Sequence, residues 1–296
     1  MIYKIKIIIR FFYFSLLDCV RSFSGDLALS IAEPLGNGHN VKFLMQDRKG
    51  KKWVVKVCRN TGGRVPDICE REKTTFLFAR LLGLSVVDTF ILPSDCFSKL
   101  IPADGDFIKN KVVALPYIES KNIKEFVATN NIISRSLFSD SNDVANIFAF
   151  YDWIGDEDRG TEDFLVRIRD KKVFLIDHGL SGPGQSKLLR SAHPYPENYN
   201  ADAIIKKCYP GKDSFFDYIF LTIGINVNNL CNPPIIKLIK NIPNFIIRRY
   251  SKNSRILDYE HFALELATRK NNIDRDYKKW LEEAKGKVEE MIENKI

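Results

Sequence analysis

Three aspartates around two short apolar runs constrain the fold of this chain more than any other feature. Asp158, Asp163 and Asp177 flank the runs, which cover residues 164–168 and 173–176. The four residues between the runs are polar, as in a turn between two strands. The pattern therefore predicts a β-hairpin that has aspartates at its open end.

The register of this hairpin decides which side chains meet. If its tip is centred on residues 170–171, antiparallel pairing places Phe164 opposite Asp177. The same register places Asp163 opposite His178, so that Asp163 and Asp177 lie together. Two carboxylates at one place repel each other unless a cation lies between them, and hard oxygen ligands of this kind suit Mg²⁺.

Asp158 precedes the hairpin and would face the same point. A carboxylate in that position could accept a proton from a hydroxyl group. The alternative interpretation is that all three aspartates are turn and cap residues, where Asp is common.

A single lysine interrupts the apolar run at residues 53–58, which predicts a buried strand that contains Lys56. A buried lysine is costly unless it is paired, and the alternative is an edge-strand lysine that reaches water. Residues 67–83 have helical character and place Glu72 on the face of that helix that is otherwise apolar. Glu72 is therefore the predicted ion-pair partner of Lys56, since Glu70 lies off this face.

A glycine turn precedes this strand. Gly36, Asn37 and Gly38 lie between apolar runs at residues 28–34 and 41–46. The backbone N–H groups of such a turn can approach phosphates, although Asn-Gly is also the commonest hairpin turn. Its position about twenty residues before the buried lysine favours the phosphate interpretation.

Taken in order, these motifs resemble the HipA-like kinases. The resemblance depends on the glycine turn, the Val-Val-Lys strand, the glutamate-bearing helix, the Trp-Ile-Gly-Asp-Glu-Asp-Arg stretch at 153–159 and the Ile-Asp-His-Gly stretch at 176–179. These kinases are distant relatives of the phosphatidylinositol 3- and 4-kinases within the protein-kinase-like fold. The similarity covers roughly residues 28–250, and its specific part is the segment from 152 to 179.

The resemblance implies a role for each candidate site residue. Asp158 would be the catalytic aspartate, and Asp177 would bind the metal together with Asp163. Lys56 would contact the α- and β-phosphates of ATP, with Glu72 as its helix partner. The strand at 113–119 would be the hinge that holds adenine between two lobes. Its adenine-binding residues would be Pro116, Tyr117 and Ile118.

Three positions depart from the pattern of that family. It usually has Asn five residues after the catalytic aspartate, often His two residues after it, and commonly Asn two residues before it. This chain has Asp163, Gly160 and Asp156 there. Asp163 can still bind Mg²⁺, but it adds negative charge near the transferred phosphate. The departures predict activity that is slow, shifted toward Mn²⁺ or lost, so a pseudokinase or a nucleotide-binding regulator remains an alternative.

The predicted fold class is α+β, a bilobal protein-kinase-like fold. An apolar and basic extension at residues 1–22 would precede an N-lobe at 23–119, made of a small antiparallel sheet and one helix. A larger, mainly helical C-lobe would follow at 120–296. Helices are predicted in the C-lobe over residues 201–208, 214–225, 234–240, 259–268 and 274–294. The loop after the hairpin would occupy the place of an activation segment, where Ser181 or Ser186 could be phosphorylated.

Composition limits the class of partner and the compartment. The net charge of +8 favours anionic partners, but the basic residues are dispersed and no nucleic-acid-binding motif is present, so direct nucleic-acid binding is not expected. Six cysteines without a Cys-x-x-Cys pair suit reduced thiols and a cytoplasmic location. The uncharged run near the N-terminus is too short to span a bilayer. Packing of this segment on the protein is favoured over a basic and apolar contact with a membrane surface.

The predicted function is ATP- and Mg²⁺-dependent phosphoryl transfer to a hydroxyl, with Ser or Thr of a protein as the favoured acceptor. The alternatives are a lipid or small-molecule kinase, a pseudokinase, and a nucleotidyl-type transferase on the same scaffold. The sequence does not identify the protein substrate. By the family resemblance, an antitoxin-like or regulatory protein is an expected kind of partner.

Overall fold

The computed structural model describes residues 2–20, 30–35, 41–58, 67–93, 108, 111–130, 141–155, 160–179, 219–220 and 223–293. Several predicted features lie outside these residues. They are Gly36, Asn37 and Gly38 of the glycine turn, Asp156, the candidate catalytic Asp158, the candidate phosphorylation sites Ser181 and Ser186, the predicted helix at 201–208 and nearly all of the one at 214–225.

A five-stranded antiparallel sheet forms most of the first lobe. Its strands are β1 (Ser30–Pro34), β2 (Val41–Gln46), β3 (Lys52–Val57), β4 (Phe90–Pro93) and β5 (Lys111–Pro116). They lie in the order β1-β2-β3-β5-β4. The period-two alternation of β3 buries Trp53, Val55 and Val57 on one face. Lys56 therefore lies on the opposite face of the sheet.

Helix α2 (Ile68–Leu82) packs on that opposite face, in agreement with the helix predicted over 67–83. Glu72, Phe76 and Ala79 are all buried, as the predicted apolar face requires. The helix ends at Gly83, which has a left-handed backbone with φ of +90° and donates its N–H to the carbonyl of Arg80. Helix α2 is buried on nearly all sides, because both the sheet of the first lobe and helices of the second lobe pack against it.

The second sheet has three strands in the order β6-β7-β8. They are β6 (Ser120–Asn122), β7 (Phe164–Arg167) and β8 (Val173–Leu175). The predicted hairpin is therefore present as β7 and β8, but its predicted register is wrong. Phe164 lies opposite Leu175 rather than Asp177.

The tip of the hairpin explains the different register. Its loop has four residues rather than two, because the N–H of Arg167 donates to the carbonyl of Lys172 at 2.9 Å. Lys171 adopts a left-handed backbone with φ of +58°, and the guanidinium of Arg167 donates to Asp170 at 2.8 Å. As a result Asp163 lies beside Ile176, whose N–H donates to its carbonyl, and not opposite His178.

The second lobe is mainly helical. Its helices are α3 (Ile123–Asn130), α4 (Ser141–Ile154), α5 (Pro234–Lys240), α6 (Asn244–Asn253) and α7 (Tyr259–Glu293). The prediction for residues 234–240 is confirmed as α5. The two helices predicted at 259–268 and 274–294 are instead one continuous helix, α7. Lys270 lies at the predicted break, where it is buried and donates to the carbonyl of Ile242 at 2.9 Å.

Helix α1 (Ile2–Val20) packs against α2 and α5. Its contact face buries Ile7 and Phe11, and Arg10 donates to the carbonyl of Leu81 in the last turn of α2 at 3.1 Å. None of the helices in the described part of the chain is long and apolar enough to cross a bilayer.

The end of α2 depends on glycine at position 83. A Cβ at this position would lie 2.9 Å from the guanidinium of Arg10, and the left-handed backbone disfavours any side chain. We expect Gly83→Ala to lower the free energy of unfolding by about 1–2 kcal/mol in urea denaturation. Gly286→Ala is the matched control: its Cβ would meet no atom within 4 Å inside α7, so it should raise stability by up to about 1 kcal/mol. Equal effects of the two changes would contradict this account.

Candidate functional site

A buried lysine lies at the centre of the candidate site. Lys56 is 2% exposed, and its ammonium donates to the carboxylate of Glu72 at 3.0 Å. It also pairs with the carboxylate of Asp177. The predicted ion pair between β3 and α2 is thus present, and a residue that follows β8 joins it. Glu70 pairs with Lys111 instead. This agrees with the prediction that Glu70 does not lie on the face of α2 that contains Glu72.

Two carboxylates flank the buried ammonium of Lys56. Burial opposes the charge on Lys56, but Asp177 and Glu72 together outweigh that cost and raise its pKa well above the ordinary value. Lys56 therefore stays protonated at neutral pH. Burial raises the pKa of Glu72, and the nearby charge of Asp177 adds to this effect while Lys56 opposes it. The two carboxylates therefore hold the charged Lys56 ammonium between α2 and the segment after β8.

Asp177 is the member of the cluster that faces the cleft. Its side chain is 28% exposed, whereas those of Lys56 and Glu72 are almost fully buried. Its backbone is left-handed, with φ of +59°, a conformation that Asp tolerates better than most residues but that is uncommon outside glycine. Uncommon backbone of this kind is frequent at functional sites, so this geometry supports a site role for Asp177.

Lys42 is a site residue that the sequence analysis missed. It lies on β2 directly opposite Lys56, and its ammonium is 3.7 Å from the Asp177 carboxylate. Its side chain is about one-third exposed at the cleft, in contrast to the buried Lys56. The signal for it was the turn at residues 47–51, because antiparallel strands on either side of that turn place positions 42 and 56 across from each other.

The cleft next to this cluster is apolar. It is lined by Val54, Leu115, Leu165 and Ile176, with Lys42, Lys56 and Asp177 at one end. The predicted hinge residues Pro116, Tyr117 and Ile118 also line it, where the chain leaves β5. A flat apolar slot that ends at fixed charges is suited to a ligand with one aromatic and one charged part.

Asp163 and His178 support the segment around Asp177. Asp163 is 8% exposed, and its carboxylate accepts the N–H of Gly160 at 2.9 Å. This bond holds the end of the segment that contains Asp158. His178 is buried, with its ring 6.5 Å from the ring of Tyr151.

Of the two predicted Mg²⁺ ligands, Asp177 has the position that such a ligand needs. Within the described residues, no three Asp, Glu, His or Cys side chains are grouped as a closed metal site would require. Mg²⁺ needs no such group, because one or two carboxylates together with substrate phosphates and water usually hold it. Asp177 offers a carboxylate at the cleft, whereas the Asp163 carboxylate is 8% exposed and accepts the N–H of Gly160.

The buried ion pair has a testable energetic consequence. We expect Lys56→Met to lower the free energy of unfolding by about 3–5 kcal/mol, because it leaves Glu72 buried without its cation. The double variant Lys56→Met/Glu72→Met should recover most of this loss, as measured by chemical denaturation.

Lys240→Met provides the control for this experiment. The ion pair of Lys240 with Asp274 lies on the surface, so its loss should cost less than about 1 kcal/mol. If the double variant is as unstable as Lys56→Met alone, the two residues are not coupled in the way proposed.

Comparison with known proteins supports the fold. No family model matches the chain, and no curated protein matches it in sequence. Among solved structures, the chain is similar to the proinflammatory kinase CtkA of Helicobacter pylori, with 14% identity and a TM-score of 0.52. The match covers 86% of this chain and 96% of that one. The predicted bilobal kinase-like fold is confirmed, whereas membership of the HipA-like family stays a prediction.

Proposed function

We propose that the cleft binds ATP and that the protein transfers its terminal phosphoryl group to a hydroxyl, with Ser or Thr of a protein as the favoured acceptor. The observation that carries the proposal is the position of Lys56. This lysine is buried between a helix carboxylate, Glu72, and a cleft carboxylate, Asp177, beside an apolar slot. The kinase-like fold supports the same class of reaction.

Each residue would act mainly through position and charge, since phosphoryl transfer needs little covalent chemistry from the protein. Lys56 would hold the α- and β-phosphates, and Glu72 would keep its ammonium directed at them. The hinge at residues 116–118 would hold adenine through its backbone. Because these groups are already fixed before substrate binds, they need little reorganisation during the reaction.

Mg²⁺ would be held by Asp177 and Asp163, and it would neutralise charge on the phosphates when bound. Asp158 would orient the acceptor hydroxyl and take up its proton. The bond from Gly160 to Asp163 supports this assignment, because it fixes the chain two residues beyond Asp158.

One observation favours a second candidate, a nucleotide-binding regulator without turnover. Asp163 occupies a position where the resembled family has Asn, and its carboxylate adds negative charge to the site. Such a protein would bind ATP in the same cleft and release no ADP.

The proposal is tested by mass spectrometry and ADP release after incubation with ATP and Mg²⁺. We expect a transferred phosphoryl group with the wild type, and a rate at least about 100-fold lower with Asp158→Ala or Asp177→Asn. Asp170→Asn is the control, because Asp170 pairs with Arg167 at the far tip of the same hairpin. The control should keep the wild-type rate.

The other outcomes separate the alternatives. Undiminished transfer in the Asp158 and Asp177 variants would refute the site assignment. Label found in a lipid extract would identify a lipid kinase, and pyrophosphate release with a nucleotidyl mass increment would identify a nucleotidyl transferase. A thermal shift with ATP but no product would indicate the regulator.

Lys42 gives a separate prediction. The Lys42 ammonium approaches Asp177 from β2, the strand that pairs with the strand of Lys56, and it remains partly exposed. It can therefore bind a phosphate, and its removal should cost little fold stability. We expect Lys42→Ala to raise the KM for ATP about tenfold, which corresponds to one phosphate contact of about 1.4 kcal/mol. Lys49→Ala, in the exposed turn at the other end of β2, should leave the KM unchanged. An equal effect of both substitutions would show that only overall charge matters.

A further inference from the structure

The outward face of α1 is apolar. Ile2, Ile5, Ile9, Phe12 and Tyr13 are between 49% and 79% exposed. At 3.6 residues per turn, their side chains fall within an arc of about 100° on the helix. The five residues are defined here as the α1 outer face, which contains no charged residue.

The opposite face of the same helix is apolar as well. Ile7 and Phe11 are buried against the protein, and the guanidinium of Arg80 lies over the ring of Phe14 at 4.5 Å. A surface helix normally has one apolar stripe and one polar face. Packing on the protein therefore accounts for only one of the two apolar faces of α1. The α1 outer face is of the kind that marks an interaction site.

Basic residues flank the α1 outer face. Lys6 is exposed on α1 just beyond the edge of this face, and residues 2–15 contain no acidic residue. Helix α6 continues the surface with Phe245, which is exposed and lines the same groove as Phe12 of the α1 outer face. Arg249 lies one turn further along α6 and is exposed, and α6 also lacks acidic residues.

We propose that the α1 outer face, with Phe245 and these basic residues, docks on an anionic phospholipid surface. The helix would lie in the plane of the headgroups, with its isoleucines and Phe12 among the first part of the acyl chains. Lys6 and Arg249 would contact lipid phosphates, and Tyr13 would lie at the boundary between the apolar region and water.

The charges favour a lipid surface over a second copy of the chain. If two copies paired through this face, they would bring Lys6 and Arg249 of both copies together around an apolar contact, with no acid among residues 2–15 of α1 or on α6 to compensate. An anionic surface compensates these charges. The proposal is independent of the phosphoryl-transfer function, since none of these residues lines the cleft next to Lys56.

Flotation of the full chain with lipid vesicles tests the proposal. The probes are vesicles of phosphatidylcholine alone and vesicles of phosphatidylcholine and phosphatidylglycerol in equal parts. We expect binding to the anionic vesicles only, with a partition coefficient at least about tenfold lower for Ile5→Ser/Ile9→Ser. Lys6→Gln should lower it about fivefold and weaken its dependence on salt.

Leu264→Ser is the matched control. Leu264 is 66% exposed on α7, so this variant removes one large exposed apolar side chain from a different helix and should bind like the wild type. Thermal melts should show that all variants are folded, because the substituted side chains are exposed.

Three results would overturn the proposal. The first is a wild type that binds neither kind of vesicle, or both equally well. The second is undiminished binding by the isoleucine variant. The third is self-association of the wild type that the isoleucine variant abolishes in the absence of vesicle binding, which would identify a second copy as the occupant.

Discussion

The charge cluster around Lys56 is the interaction on which the rest of the structure depends. A lysine in the middle of a sheet face is acceptable only if carboxylates reach it, and they come from two distant parts of the chain. Glu72 comes from α2 and Asp177 from the segment after β8. The cluster thus joins the sheet of one lobe to the hairpin of the other. It also places the Asp177 carboxylate where the cleft opens.

Helix α2 connects this cluster to the hydrophobic core. It is buried on nearly all sides, so its position is set by contacts with the sheet, with α1 and with the helical lobe. At its first turn, Asp67 accepts hydrogen bonds from Arg71 and from the N–H of Leu257, which precedes α7. A helix held in this way keeps the Glu72 carboxylate in place. On a loosely packed helix, a side chain as long as that of glutamate would not keep one position.

Regular periodicity made part of the fold predictable. The alternation in β3 and the helical spacing in α2 were sufficient to predict the pairing of Lys56 with Glu72.

The hairpin register was not predictable from apolar runs, because it depends on the left-handed backbone of Lys171 and its loop. The continuity of α7 was missed because Lys270 has the composition of a surface residue, whereas it is buried and donates a hydrogen bond to the carbonyl of Ile242. Lys42 was overlooked because one lysine in a half-buried strand is ordinary.

The hydrogen bond from Arg10 to the carbonyl of Leu81 has a consequence for communication within the molecule. It ties α1 to the last turn of the helix whose first half contains Glu72. A displacement of α1 would therefore rotate or shift α2. Because Glu72 lies on α2, such a shift would change how firmly the Lys56 ammonium is held. Any such coupling is reciprocal: whatever binds α1 and whatever binds at Lys56 must alter each other's affinity by the same factor.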